Sequence, residues 1–169
     1  MDLSLLNWNP RGLNNPAKRR SIQRFVSTHC CNMIVLQETK LADVSASIVA
    51  EALGARFASN FIFKPASGTR GGILVACSDD FSVVLVPLAS SDFFITGTVT
   101  DKSDGSSWSL TAVYGPQDDH EKIQMLAEFR RIKSLTLPEL VILGDYNLMK
   151  SAHEKSTNNL NLRTMGRFR

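Results

Sequence analysis

Cysteine is scarce in this chain. Cys30, Cys31 and Cys77 are the three among 169 residues, and no Cys-x-x-Cys pair occurs. An odd count without that spacing argues against a disulfide framework, a disulfide-linked partner and a cysteine-ligated structural zinc; free, mostly buried thiols in a reducing compartment fit better. Long apolar runs are also missing. None approaches the roughly 20 residues a membrane helix needs, so no membrane is expected. The opening Met1-Asp2-Leu3-Ser4-Leu5-Leu6 carries no basic leader and soon meets Asn7 and Asn9, which reads as intracellular and not secreted. Repeats and low-complexity tracts are absent. The three histidines, His29, His120 and His153, stand in no motif and read as surface residues.

Charge is present but barely unbalanced. The formal net charge is +3, and residues 155–169 hold Lys155, Arg163, Arg167 and Arg169 with no acid, so the excess lies in the tail. A second basic cluster is Lys18-Arg19-Arg20 with Arg24. Such clusters meet phosphate backbones in some proteins and are solvated helix faces in more. Hydrophobic residues make up 43% and charged residues 21%, an ordinary composition that points to one globular domain with a sizeable core.

Periodicity places the elements. Leu3–Asn9 reads as a strand ending in the turn Asn9-Pro10-Arg11-Gly12. A helix follows from Pro16, with Ile22, Phe25 and Val26 on its apolar face. Met33–Leu36 is a buried strand delivering Gln37-Glu38-Thr39-Lys40, and residues 44–53 are helix-permissive. Strands are then expected at Phe57–Phe63, Ile73–Ala76, Phe81–Pro87, Phe93–Thr100 and Trp108–Tyr114. Ser67–Gly72 is read as a flexible connection, and Asp104-Gly105 as a hairpin turn. Asp118 or Asp119 caps a helix whose stripe is Ile123, Leu126, Ala127, Phe129 and Ile132. Leu140–Leu143 is a final buried strand running into Gly144-Asp145-Tyr146-Asn147. Strands between helices, several joined as hairpins, imply a mixed α+β domain.

Three buried strands thus end in oxygen-bearing groups: Asn9, Glu38, and Asp145 with Asn147. Hard oxygen ligands suit Mg²⁺, with Mn²⁺ as the alternative, and Mg²⁺ takes one or two carboxylates and keeps its waters. Each feature also has a plainer reading. Gly-Asp-Tyr-Asn is a good turn, Asn9 opens a turn before Pro10, Glu38 is a solvated acid beside Lys40, and Tyr114 is a core aromatic at a strand end.

The ordered set decides between these. Asn7-Trp8-Asn9-Pro10-Arg11-Gly12-Leu13, Leu36-Gln37-Glu38-Thr39-Lys40-Leu41, Gly68-Thr69-Arg70-Gly71-Gly72, Val113-Tyr114-Gly115-Pro116 and Gly144-Asp145-Tyr146-Asn147 occur in the order of the endonuclease/exonuclease/phosphatase family. The spelling resembles most the endonuclease domains of plant non-LTR (LINE-type) retrotransposons, and the match runs from Leu5 to the last residue. The resemblance implies a four-layer α/β/β/α sandwich of the deoxyribonuclease-like type and a Mg²⁺-dependent DNA endonuclease activity. It implies Glu38 as the metal-ligating carboxylate, with Asn9 beside it. It further implies Tyr114 at the scissile phosphate, Asp145 as the acid handling a proton, Asn147 supporting the phosphate, and Arg70 facing nucleic acid. A DNA substrate would in turn imply nuclear residence.

The departures from the family pattern are as informative. No Ser-Asp-His triplet occurs in the 169 residues, nor the histidine and aspartates that the family adds there. Smaller departures are Pro10 and Tyr146, the latter where Phe is usual. The expectation is therefore residues 1–150 as the N-terminal part of such a domain lacking its last strands. Residues 151–169 would be a basic, Asn-rich continuation, and catalysis would be impaired. The competing readings are a phosphomonoesterase of the same superfamily and an inactive nucleic-acid-binding remnant.

Overall fold

The structure is a computed structural model that describes residues 3–68 and 70–148. Eight strands form two four-stranded sheets. The strands are β1 (Leu5–Trp8), β2 (Met33–Gln37), β3 (Phe61–Ser67), β4 (Arg70–Cys77), β5 (Phe81–Leu85), β6 (Phe94–Asp101), β7 (Ser107–Tyr114) and β8 (Leu140–Asp145). The first sheet has the order β1-β2-β4-β3 and the second β5-β6-β7-β8. β1 pairs parallel with β2 and β8 parallel with β7, while the remaining neighbours are antiparallel.

Three helices flank the sheets: α1 (Pro16–Thr28), α2 (Ala46–Leu53) and α3 (Asp119–Ile132). Their starts follow from capping. The Asn15 side chain accepts from the Ala17 N–H ahead of Pro16, Ser45 accepts from Ile48, and Asp118 accepts from His120 and Glu121. Gly54, with φ +110°, ends α2.

Three separate apolar cores make this a four-layer α/β/β/α sandwich. Ile22, Val26, Val49 and Leu53 of the first helix pair pack with Ile34, Leu36, Leu74 and Ala76. Between the sheets lie Met33, Val35, Ile73, Val75, Phe81, Val99, Leu110 and Ala112. Beneath α3, Met125 and Ile132 meet Phe94 and Val113. Successive residues of a strand point to opposite faces. β2 therefore sends Ile34 and Leu36 to the helices and Met33 and Val35 to the other sheet, which is why it reads as an unbroken apolar run.

Several sequence expectations need correction. Ala55–Phe57 is a short 3₁₀ turn and its strand begins only at Phe61, because Phe57 is drawn fully into the core under α2. Ser67–Gly72 is no loose connection. Ser67 pairs with Arg70 and Ala66 with Gly71, so Gly71 and Gly72 lie within β4 and Gly68 alone stands in the turn. On α3 the buried face is Met125 and Ile132 rather than the whole expected stripe. Ile123, Leu126 and Ala127 instead line a groove with Phe129, Ile142 and Tyr146. Phe25 is 39% exposed, stacked on His29 with ring centroids 4.0 Å apart.

Ser109 and Thr111 of β7 are buried. Thr111 Oγ1 lies 2.8 Å from Thr96 Oγ1, and Ser109 Oγ accepts from the Leu137 N–H. His29 and His120 are exposed, whereas His153 and the tail 151–169 fall outside the described residues. Cys31 and Cys77 are buried free thiols and Cys30 is an exposed one. Among the described residues no helix is long and apolar enough to cross a membrane.

Candidate active site

The two parallel pairs bring the strand ends together. β1 runs beside β2 with Trp8 opposite Leu36, so Asn9 emerges next to the Gln37–Lys40 segment. β8 runs beside β7 with Tyr114 opposite Asp145. Packing of one sheet on the other then closes the gap. Asn9 Nδ2 donates to Asp145 Oδ2 at 3.0 Å, and the Tyr114 phenol comes within the electrostatic reach of Glu38 and Asp145.

Asp145 is held from two sides. Its second oxygen, Oδ1, accepts the Asn147 N–H at 3.1 Å. Asn147 has φ +50°, and its side chain donates to the Gly115 carbonyl at 2.6 Å. Gly115 in turn donates its N–H to the Asp145 carbonyl at 2.7 Å. A Cβ on Gly115 would stand 2.0 Å from the Tyr146 carbonyl oxygen, so the two turns approach as only glycine allows. The sequence between the acid and the amide is thus both a turn and a site. Tyr146 points away into the α3 core, where its hydroxyl donates to Ile142 and its ring meets Phe129 edge-on.

Glu38 sits on a clamped loop. Its φ is +51° and that of Lys40 is +57°. Thr39 and Lys40 donate their N–H groups to Gly72 and Gly71, and Leu13 donates to the Thr39 carbonyl. Lys40 Nζ lies 3.2 Å from Glu38 Oε1. The Tyr114 phenol is pushed above the ordinary tyrosine range, first by burial and then by the negative charges of Glu38 and Asp145 and its bond to Glu38; Arg70 opposes this. Tyr114 therefore remains a proton-bearing donor at neutral pH.

Arg70 is exposed at the start of β4 and lies in a cleft of about 380 Å³ lined also by Tyr114, Lys64 and Ser67. All six residues singled out in the sequence thus fall in one neighbourhood: Asn9, Glu38, Tyr114, Asp145 and Asn147 as a connected set, with Arg70 at its edge. Two participants were missed. Gln37, 1% exposed, donates its side-chain amide to Asn7 Oδ1 and ties β2 to β1 just below the site. Asn14 donates to the Lys40 carbonyl. A signal for Asn7 existed, since it lies two residues before Asn9 and on the same side of β1. The Lys18–Arg24 cluster is partly spent on structure: Lys18 Nζ donates to the Pro10 carbonyl, and Arg19 pairs with Glu51 at 2.9 Å.

The donor set suits a hard divalent cation of modest demand. Among the described residues no group of three or more His, Cys, Asp or Glu could hold a metal. One carboxylate with an ion's own waters is nevertheless a sufficient Mg²⁺ ligand set. Asn9 Oδ1 already accepts the Arg11 N–H at 3.0 Å, so Asn9 serves first to orient Asp145, with one lone pair left over.

Two sheets with helices outside, and polar groups gathered where the parallel pairs end, define the deoxyribonuclease-like fold of the endonuclease/exonuclease/phosphatase type. Solved structures bear this out. The chain is similar to an AP endonuclease from Leishmania major, at 15% identity and TM-score 0.69, over 93% of this chain and 59% of that one. It is similar to the endonuclease domain of TRAS1, a telomere-specific non-LTR retrotransposon, at 13% identity and TM-score 0.59, over 88% of this chain and 60% of that one. It is also similar to a mannosyl-6-phosphatase from Bacteroides thetaiotaomicron, at 14% identity and TM-score 0.64, over 99% of this chain and 70% of that one. The chain thus spans about three fifths of the length of the first two. No family model matches it, and no curated protein sequence does.

Proposed function

We propose that this chain is a Mg²⁺-dependent phosphodiester hydrolase, a DNA endonuclease of retrotransposon origin, with low activity as a 169-residue polypeptide. The observation that carries the reading is the Asn9–Asp145 hydrogen bond, which joins the two sheets beside Glu38 and Tyr114 and gathers four separate strand ends into one polar centre. The retrotransposon-like spelling of the motifs and the likeness to the TRAS1 domain support the substrate class.

In this reading Glu38 would hold the ion, which would supply charge neutralisation at a phosphoryl oxygen. Asp145, oriented through both oxygens, accepts the proton of the attacking water or returns it to the leaving oxygen. Tyr114 donates to a phosphate oxygen, and Asn147 and Arg70 steady the phosphodiester from the flanks. The 169 residues contain no Ser-Asp-His triplet to supply the histidine of a complete set. Loss of one member of a cooperative set costs orders of magnitude, which is the basis for low activity.

Nicking of a supercoiled plasmid in Mg²⁺ tests this. Slow nicking, abolished by chelation and by either Glu38→Ala or Asp145→Ala, is expected. Nicking that survives both substitutions would sink the site, and fast nicking would sink the impairment. The likeness to a sugar phosphatase favours one second reading, phosphomonoester hydrolysis, which would release inorganic phosphate from a sugar phosphate in the same buffer without nicking DNA.

A further inference from the structure

The Glu38–Lys40 pair differs from an ordinary surface ion pair in how firmly its backbone is fixed. Non-glycine residues with positive φ are uncommon, and here two stand one residue apart, at +51° and +57°. Backbone hydrogen bonds hold them there. Leu13 N–H reaches the Thr39 carbonyl at 2.7 Å, Asn14 Nδ2 the Lys40 carbonyl at 3.1 Å, Thr39 N–H the Gly72 carbonyl at 3.1 Å, and Lys40 N–H the Gly71 carbonyl at 3.0 Å. The position of Gly72 admits no side chain, since a Cβ there would meet Thr39 Oγ1 at 2.2 Å and the Lys40 nitrogen at 3.2 Å. The Lys40 stem lies along Gly12, with Cδ 3.3 Å from where a Cβ of that glycine would be. Stem and backbone together deliver the ammonium to Glu38 Oε1 at 3.2 Å.

A cation is therefore already seated on the carboxylate that the proposed function assigns to the metal. A divalent ion approaching Glu38 meets a like charge within contact distance, and like charges at that range repel. The lysine has four rotatable side-chain bonds and is 35% exposed, so its ammonium is free to swing while its backbone is not. An ammonium displaced from Glu38 would stay within reach of its four-bond stem, a positive charge beside the site.

We propose that Lys40 is the internal counter-ion of the site. It is a positioning residue that holds the Glu38 carboxylate before an ion is bound, competes with that ion, and transfers its ammonium to the substrate phosphate once the ion has arrived. The inference rests on Glu38 as ion ligand and names what regulates that ligand.

The test is Mn²⁺ binding without DNA, followed by electron paramagnetic resonance, in the wild-type chain and the Lys40→Met, Lys40→Arg and Glu38→Gln variants. Circular dichroism serves to show that each is folded. Lys40→Met should bind Mn²⁺ roughly 1.5- to 5-fold more tightly, the range set by a partly exposed ion pair, and the gain should shrink as salt rises. Lys40→Arg should behave as wild type, and Glu38→Gln should bind more weakly. With Ca²⁺ present, Lys40→Met should bind a short DNA duplex more weakly, with a salt slope smaller by about 1. Unchanged or weaker Mn²⁺ binding by Lys40→Met, with Glu38→Gln impaired, overturns this inference alone. Equal Mn²⁺ binding by wild type and Glu38→Gln overturns both it and the assignment of Glu38. Tighter Mn²⁺ binding with unchanged duplex binding overturns the transfer to phosphate.

Discussion

Asn9 and Asp145 are 136 residues apart in the chain, and their side chains meet at 3.0 Å. Neither strand end is informative alone. Asn9 belongs to the first sheet and Asp145 to the second, so their bond spans the sandwich at its polar end. It orients the carboxylate on which the proposed proton transfer depends.

Removing that bond should therefore cost activity more than stability. Asn9→Ala is expected to lower residual Mg²⁺-dependent nicking about 10- to 100-fold, the scale of losing one orienting partner of a catalytic group. Thermal unfolding should move little, since the residue is only half-buried. Asn9→Asp should be at least as damaging, because a second carboxylate would face Asp145.

Alkaline pH should destabilise the fold in two steps. Burial pushes the Cys77 thiol from 9.0 up to about 12, and the phenols of Tyr114 and Tyr146 are also raised above 10.0. In the unfolded chain these groups lose protons at their ordinary values, so the native state binds more protons above pH 9 and stability falls as pH rises. Their contribution is complete below pH 9 and is lost up to the raised native values. The unfolding midpoint should decline first from pH 9 and more steeply from pH 10. Cys77→Ala should flatten the first phase, and Tyr114→Phe part of the second. In thiol labelling at neutral pH, Cys30 should react at once, with Cys31 and Cys77 protected.

Thr39 carries a buried hydroxyl, at 0% exposure, with no hydrogen-bond partner among the described residues. Thr39→Val keeps the shape and removes the unsatisfied group. The expected result is unchanged or raised stability, by up to about 1 kcal/mol in urea unfolding, in contrast to the usual cost of a core substitution.

Gly115 tests the close approach of the two turns. Gly115→Ala would drive a methyl onto the Tyr146 carbonyl oxygen, 2.0 Å from its Cβ. The loop carrying Asp145 and Asn147 must then move. A loss of about 2 kcal/mol or more is expected in chemical unfolding, together with loss of Mg²⁺-dependent nicking.

Much of this architecture was legible in the order of residues. Leu140–Leu143, Met33–Leu36 and the helix-start signals at Pro16 and Asp118 specify their own elements, because apolar periodicity and local hydrogen bonding act within a few residues. Where reading failed, a distant neighbour was responsible. Phe57 leaves its expected strand to fill the core under α2, and Gly71 and Gly72 lie in a strand on which the Thr39–Lys40 backbone docks. Met125, unremarkable in sequence, becomes the buried residue of α3 once Val113 and Phe94 lie beneath it.

The same division holds at the site. The sequence by itself determined which chemistry is on offer: hard oxygen groups at the ends of buried strands, two phenols, and few sulfur or imidazole donors. Only the tertiary structure decided who meets whom. The Asn9 amide nitrogen turns to Asp145, and Tyr114 of the second sheet comes beside Glu38 of the first. The physical reason is range. Propensity and pattern act along the chain over a few residues, whereas these contacts arise where two independently formed sheets pack face to face.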